Sequence, residues 1–470
     1  MVNFNSILAN LPEVKGPLQK HLPFKEKLKW TGIVLVLFFL LGLVPLYGLG
    51  VNALQQFEQL SIILGASFGS LATLGIGPLV TASIVLQLLN GSGIMKFDLT
   101  SPEGKKRFHA LQKLLGVFFI FFEGAIYVFL GGLLPPEALP PATYRTMELL
   151  LVAQIALGGI AIMFMDEVCN KWGFGSGISL FIAAGVSQEI IIRAFSPLTT
   201  AGSFAFGSSQ PPIGKVWVFF ISLLSRNPTG AALALSAIIA TIIVFIFSVY
   251  AQSMKVEIPL SFGRVRGHGI RWPLHFIYTS NIPVILVAAL MANMQLWARL
   301  LQNWGHPILG TFSGNTPASG LIAWINPPNM VESIITGSFR GIDMGHALIY
   351  MLFMIVGSII FSIFWVQTSG MDAKSQAKQI LASGLQIPGF RRDERILEHI
   401  LSRYIFPLTI MGAALVGFLA STADLLGALS RGTGILLTVM IVYRMYEDIA
   451  KQHMMDMHPA LRKMMGGGSE

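Results

Sequence analysis

The residues that could do chemistry in this chain are few and scattered. Glu123 stands alone in the middle of an apolar run, FFEGAIY, and an ionisable side chain at that depth in lipid marks a functional position by default. Asp166, Glu167, Glu189 and Arg193 lie toward the ends of apolar runs, where snorkelling to the interface makes a structural role the plainer reading. The nine histidines fall mostly in loops, and the one cysteine, Cys169, permits no internal disulfide. No Cys/His cluster has metal-ligand spacing, and no GxxxxGKS/T phosphate loop, HExxH helix or GxSxG elbow occurs. The expectation is therefore no enzyme, no metal and no cofactor. Two stretches concentrate arginine: SFGRVRGHGIRW (261–272) carries Arg264, Arg266 and Arg271, and QIPGFRRDERILEHILSRY (386–404) carries Arg391 and Arg392. Membrane topology alone would explain basic loops, although these project from turns marked by Gly and Pro.

The elements that hold these residues must use lipid as their solvent. Of 470 residues, 53% are hydrophobic and 12% charged, against roughly 25% charged in a soluble protein, and the mean hydropathy is +0.67. A soluble globule is excluded. Apolar runs of spanning length occur at 30–49, 75–91, 110–133, 146–166, 176–195, 229–252, 276–297, 345–366, 402–424 and 432–449. These ten runs put both termini on one side. If that side is cytoplasmic, the outside keeps only Arg145, Arg193, Lys215, Arg226, Arg299, Arg340 and Arg431 of the 32 basic residues, and the positive-inside rule fixes this orientation. KVWVFFISLLS (215–225) is too short to cross and reads as an interfacial piece. Within 1–29, Phe4, Ile7, Leu8 and Leu11 recur at helical spacing, with Lys15, Lys20, Lys25, Lys27 and Lys29 after them. That pattern predicts an amphipathic segment on the headgroups rather than a signal peptide.

Residues 50–74, moderately apolar and broken by Gly65, Gly69 and small serines, lie between two good spans. Irregular backbone at that depth needs protein or a water-filled cavity around it, so a re-entrant element is expected. Ten spans divide into five and five, which gives repeated halves opposite orientations, as is common in transport proteins. Pro78 and Pro283 open the second span of each half, and a proline there is expected to loosen the helix around a mobile central site. The expected fold is an all-α polytopic membrane protein with ten transmembrane helices in two inverted five-helix halves and a re-entrant helix. The boundaries are a cytoplasmic N-terminal segment 1–29, halves 30–200 and 201–450, and a cytoplasmic tail 451–470.

Four motifs in order, GIGPLVTASIVLQLL (75–89), GSGISLFIAAGVSQ (175–188), SNIPVILVAALMANMQLW (280–297) and GTGILLTVMIVYRMYE (432–447), closely resemble the archaeal SecY family, the large subunit of the protein-conducting Sec channel. The resemblance covers essentially the whole chain. It implies a clamshell of two halves, an hourglass pore, an external plug helix at 56–70 and a lateral gate facing lipid. It places the pore constriction on Ile76 and Val80 in the second span, Ile178 and Ile182 in the fifth, Ile285 in the seventh and Leu419 in the tenth. From spacing alone, isoleucines at i, i+4 read as helix packing. The resemblance also implies a polar gate cluster of Thr81, Glu123 and Asn293, and ribosome docking by Arg264, Arg266, Arg271, Arg391 and Arg392. The implied partners are SecE, a small beta subunit, the ribosome, signal peptides with nascent chains, and membrane lipid, at the plasma membrane. A secondary transporter for a small solute or lipid is the alternative; it would need midplane charge and has no use for long basic loops or a plug. A membrane scaffold would need no central interruptions.

Overall fold

Apolar segments surrounded by lipid must satisfy their N–H and C=O groups within themselves, so they fold as helices. The protein was studied as a computed structural model, which describes residues 12–18, 22–50, 69–91, 94–95, 97, 102–129, 133–136, 138–199, 204–205, 211–262, 269–279, 282–303, 306–313, 316–382, 385–386 and 393–457. The helices are α1 (Phe24–Leu43), α2 (Gly77–Gly91), α3 (Pro102–Phe129), α4 (Pro141–Trp172), α5 (Gly177–Phe195), α6 (Lys215–Leu224), α7 (Pro228–Ser253), α8 (Ile282–Asn303), α9 (Leu321–Ile325), α10 (Met330–Ile335), α11 (Gly341–Thr368), α12 (Ala373–Ala382), α13 (Glu394–Leu425) and α14 (Gly432–Met457). Each of the ten apolar runs falls on a helix. Among the described residues, six stretches are long and apolar enough to cross a membrane by themselves: α3 from Lys106, α4, α5, α7, α11 with its continuation to Ala382, and α13.

The surface of α7 shows which solvent the helices meet. Its buried positions are mostly small, with Ala231, Ala234, Ala237 and Ala240 packed inward, while Ile242, Ile243, Phe245, Ile246 and Phe247 face out. Small residues inside and large apolar ones outside reverse the soluble pattern, as close helix packing in lipid requires.

Several sequence expectations change. Residues 12–17 are not helical, and α1 begins at Phe24, taking Lys25, Lys27 and Lys29 into its first turns; Phe4, Ile7, Leu8, Leu11 and Lys20 lie outside the described residues. Pro78 and Pro283 are each the second residue of their helix, α2 and α8. First-turn N–H groups have no intrahelical acceptor, so proline costs nothing there and starts the helix rather than loosening it.

The helical chain also carries two small sheets. β1 (Lys255–Phe262) pairs antiparallel with β2 (Gly269–His275), from Lys255 opposite His275 to Ser261 opposite Gly269. A two-residue β5 (Leu385–Gln386) adds to the other edge of β1. β3 (Phe312–Ser313) and β4 (Thr316–Pro317) form a short hairpin. Both described ends of the arginine-bearing segment 261–272, expected as a loop, are strand: Ser261 and Phe262 close β1, and Gly269 to Trp272 open β2.

By contacts the chain divides into two compact units, 1–187 with 441–470, and 188–440. In unit 1, Val34 and Phe38 of α1, Ile120 of α3, Leu151, Ile155 and Ile162 of α4 and Phe181 of α5 form one core. The Phe38 and Phe181 rings stack with centroids 4.6 Å apart. In unit 2, Val284, Val287 and Met291 of α8, Tyr350 and Met354 of α11, and Val416, Leu419 and Ala420 of α13 form a second. A separate cluster of Ile258, Leu274, Ala377, Ile380, Leu397 and Leu401 binds the β1–β2 hairpin to α12 and the start of α13.

Candidate functional site

Ile76, in the turn that leads into α2, is a core member of the unit 1 cluster, and Val80, Ile178 and Ile182 pack against that same cluster. The start of α5 is held where it is by Asp166, whose Oδ1 accepts from the Ile178 N–H at 2.9 Å and from Asn170 Nδ2 at 3.0 Å. Unit 1 therefore brings four of the six expected constriction residues into one apolar cluster. In unit 2, Ile285 is half-buried on α8, and Leu419 is buried in the core with Met354 and Val416. Leu419 stands on α13, the ninth of the ten long helices and not the tenth; the GFLAST stretch around it closes the run before the GTGILL motif.

The expected gate residues Thr81 and Glu123 sit on packed neighbours α2 and α3. The Thr81 hydroxyl donates to Gly77 O of its own helix at 3.0 Å. Glu123 is half-buried. Asn293 lies on α8, its side chain outside the described residues.

Charged groups near helix ends have protein partners. Glu167 pairs with Lys113 of α3. Glu189 pairs with Arg193 at 3.1 Å and accepts from Ser430 Oγ at 2.9 Å, while Arg193 donates to Leu429 O at 3.1 Å. Sequence reasoning missed a pair in unit 2: the buried Tyr350 of α11 donates to Oδ2 of the half-buried Asp424 at 2.6 Å, and Asp424 Oδ1 accepts from Gly432 N at 2.8 Å. The available signal was an aspartate eight residues before GTGI, much as Asp166 stands nine residues before GSGI.

Both ends of the expected plug loop are anchored. Leu46 N donates to Gly69 O at 2.8 Å and Leu71 N to Val44 O at 3.0 Å, across a Pro45–Ser70 bridge. Gln154 of α4 grips the next residue from both sides, accepting from Tyr47 N at 2.9 Å and donating to Tyr47 O at 3.1 Å. Of the plug, 56–70, only residues 69 and 70 are described. Arg264, Arg266, Arg391 and Arg392 also lie outside the described residues, whereas Arg271 projects from β2, 80% exposed, with Glu257 at 3.2 Å. Among the described residues, no group of His, Cys, Asp and Glu could hold a metal ion.

A family model described as SecY matches residues 70–446. The protein translocase subunit SecY of Methanothermobacter thermautotrophicus is 46% identical over 469 residues, covering 98% of both chains. A solved protein-conducting channel aligns with a TM-score of 0.78 at 43% identity, over 98% of this chain and 100% of its own. The channel of a canine ribosome–channel complex from the endoplasmic reticulum aligns with a TM-score of 0.76 at 43% identity, again over 98% and 100%. With the ten helices, the lipid-facing exteriors and the matching motifs, these likenesses identify a multi-pass membrane protein, and the chain belongs to the SecY family.

Proposed function

We infer that the chain is the pore-forming subunit of a protein-conducting channel, passing unfolded polypeptides across the membrane and releasing apolar segments sideways into lipid. The whole-length likeness to a protein-conducting channel carries this reading. A conduit for extended chains needs a constriction that adapts to any side chain yet refuses ions. Branched apolar residues such as Ile76, Val80, Ile178, Ile182, Ile285 and Leu419 offer no hydrogen bonds to a passing chain and dewet when empty. Bare ions then face the full cost of desolvation. Segment 56–70 acts as a plug that closes the route a second time.

Thr81, Glu123 and Asn293 form the polar seam of the lateral gate between halves 30–200 and 201–450. Interhelical polar contacts are worth about 0.6 to 2 kcal/mol each, enough to hold a seam and little enough to let it open. A nascent segment leaves through it because each Leu or Ile gains about 0.3 to 0.6 kcal/mol on entering lipid. The chain is a conduit rather than a catalyst, and it lies in the cell membrane with both termini cytoplasmic. SecE and a small beta subunit complete it. The ribosome docks on Arg264, Arg266, Arg271, Arg391 and Arg392 through RNA phosphates, a reading supported by the likeness to a channel from a ribosome complex.

Planar-bilayer conductance tests the central claim. Replacing two or more ring residues by Ser, or deleting 56–70, raises ion leak while the protein stays folded. Variants that fold and conduct no more than the parent overturn the seal, because helix packing predicts lost stability without conductance.

A further inference from the structure

At one corner of unit 1, side chains of α3 and α4 engage the main chain of residues 12–15 group by group. Lys113 Nζ donates to Pro12 O. The Val14 N–H donates to Glu167 Oε2 at 3.0 Å, Lys171 Nζ donates to Val14 O at 2.5 Å, and Trp172 Nε1 donates to Lys15 O at 3.0 Å. Among the described residues, the strap's own side chains add one ion pair, Glu13 with Lys171 at 2.6 Å.

The seat is held by contacts of its own. Lys113 and Glu167 pair with each other, their side chains only 11% and 18% exposed, and the Lys113 ammonium lies 5.2 Å from the centre of the Phe164 ring. Trp172 is braced by Trp30 of α1, with ring centroids 5.5 Å apart. Lys113, Glu167 and Trp172 are therefore positioned independently of the strap, which lowers the ordering cost of binding.

An array that reads N–H and C=O is blind to sequence, because every residue but proline offers the same pair. Main-chain pairing of this kind gives affinity to extended peptides on sheet edges; here side chains take the place of the edge. We propose that this corner is a binding seat for an extended polypeptide segment recognised through its main chain, with residues 12–15 as a resident occupant that another extended chain can displace. Pro12, Glu13 and Lys15 are exposed, so the strap gives up little apolar burial on leaving, as segments that open locally do. Binding there is a property of unit 1 alone and is measurable without any translocation.

The test uses the full chain in detergent and a short synthetic Ser/Thr-rich peptide carrying a photoreactive benzoylphenylalanine, with labelled positions mapped by mass spectrometry. Val14→Pro removes the amide that Glu167 accepts from and leaves the seat intact. It is expected to raise labelling around Lys113 and residues 167–172 several-fold over the parent. Adding Lys171→Met and Trp172→Phe returns labelling to the parent level, and a peptide copying residues 10–18 labels to a similar extent as the unrelated one. The proposal is overturned if Val14→Pro labels no more than the parent, if labelling survives loss of Lys171 and Trp172, or if only the copied sequence labels. Should Val14→Pro lower the unfolding temperature, Glu13→Gln, which loosens the strap without altering its main chain, takes its place with the same readings.

Discussion

At the α4–α5 corner of unit 1, Asp166 accepts from the N–H of Ile178 in the first turn of the next helix; at the α13–α14 corner of unit 2, Asp424 accepts from that of Gly432. Each carboxylate satisfies an orphan donor at the positive end of a helix dipole. The motifs are alike, GSGI at 175–178 and GTGI at 432–435. The two differ in what else the aspartate holds. Asp166 takes a second bond from Asn170, an exposed residue of its own helix. Asp424 takes its second bond from Tyr350, 1% exposed on α11. One corner closes locally, whereas the other ties a third helix to the joint.

The largest expected effect breaks this asymmetry. Asp424→Ala strands the Tyr350 hydroxyl and the Gly432 N–H in a buried place, and a buried unsatisfied donor costs about 1 to 3 kcal/mol. A loss of about 2 to 5 kcal/mol in detergent unfolding is expected on that basis. Tyr350→Phe destabilises the parent but, beside Asp424→Ala, recovers part of the loss, because it removes the hydroxyl left stranded there. Additive losses in that double-mutant cycle would show that the corner does not work through this bond.

Next in size is the space at the first residue of each helix. A Cβ on Gly432 would stand 2.1 Å from Ala420 O, and one on Gly177 would stand 2.7 Å from Asp166 Cα. Both obstacles belong to the preceding helix rather than to a side-chain tip, and overpacking costs about 1 to 3 kcal/mol. Gly432→Ala is expected toward the upper end and Gly177→Ala toward the lower, read from the same unfolding curves. Asp166→Ala follows at about 1 kcal/mol, the usual worth of a cap, because Asn170 can turn to water. If Asp166→Ala matched Asp424→Ala, the difference between the corners would be one of geometry without energetic consequence.

The fold's helices were legible because a spanning apolar run has few other uses in a chain this poor in charge. Their ends were not. Lys25, Lys27 and Lys29 look like a headgroup segment, yet long basic side chains can ride on a helix that continues into lipid. The β1–β2 hairpin was hidden because Pro259 and Pro273 interrupt its strands and charged Glu257 and Arg271 sit on its exposed face. At the site, isoleucines spaced i, i+4 look the same whether they line a pore or pack a core, so Ile178 and Ile182 came from a motif and not from periodicity. Asp424 at the end of its run was indistinguishable from a snorkelling carboxylate, and its partner Tyr350 stands 74 residues earlier.

The smallest effect concerns what lies beside only one of the corners. Lys171 and Trp172 follow Asp166 on the last turn of α4 and hold the strap. Glu13, outside the spans, is held below the ordinary carboxyl value of 4.5 by its hydrogen bond from Lys171 and by that residue's charge. A depressed pKa in the folded state stabilises the ionised form. The contribution is therefore fully present above pH 4.5, and it fades as pH falls through the lowered value. Because the Glu13 side chain is 64% exposed, the pair is worth at most about 1 kcal/mol, and less in high salt. Hydrogen exchange of residues 12–18, corrected for its intrinsic pH dependence, should quicken below pH 4.5 in the parent. In Glu13→Gln it should already be quicker at neutral pH and lack this acid step, while exchange at the Asp424 corner is unchanged by the substitution. An acid step that persisted in Glu13→Gln would mean that the strap is released by another group, and that the two corners differ for a reason other than this ion pair.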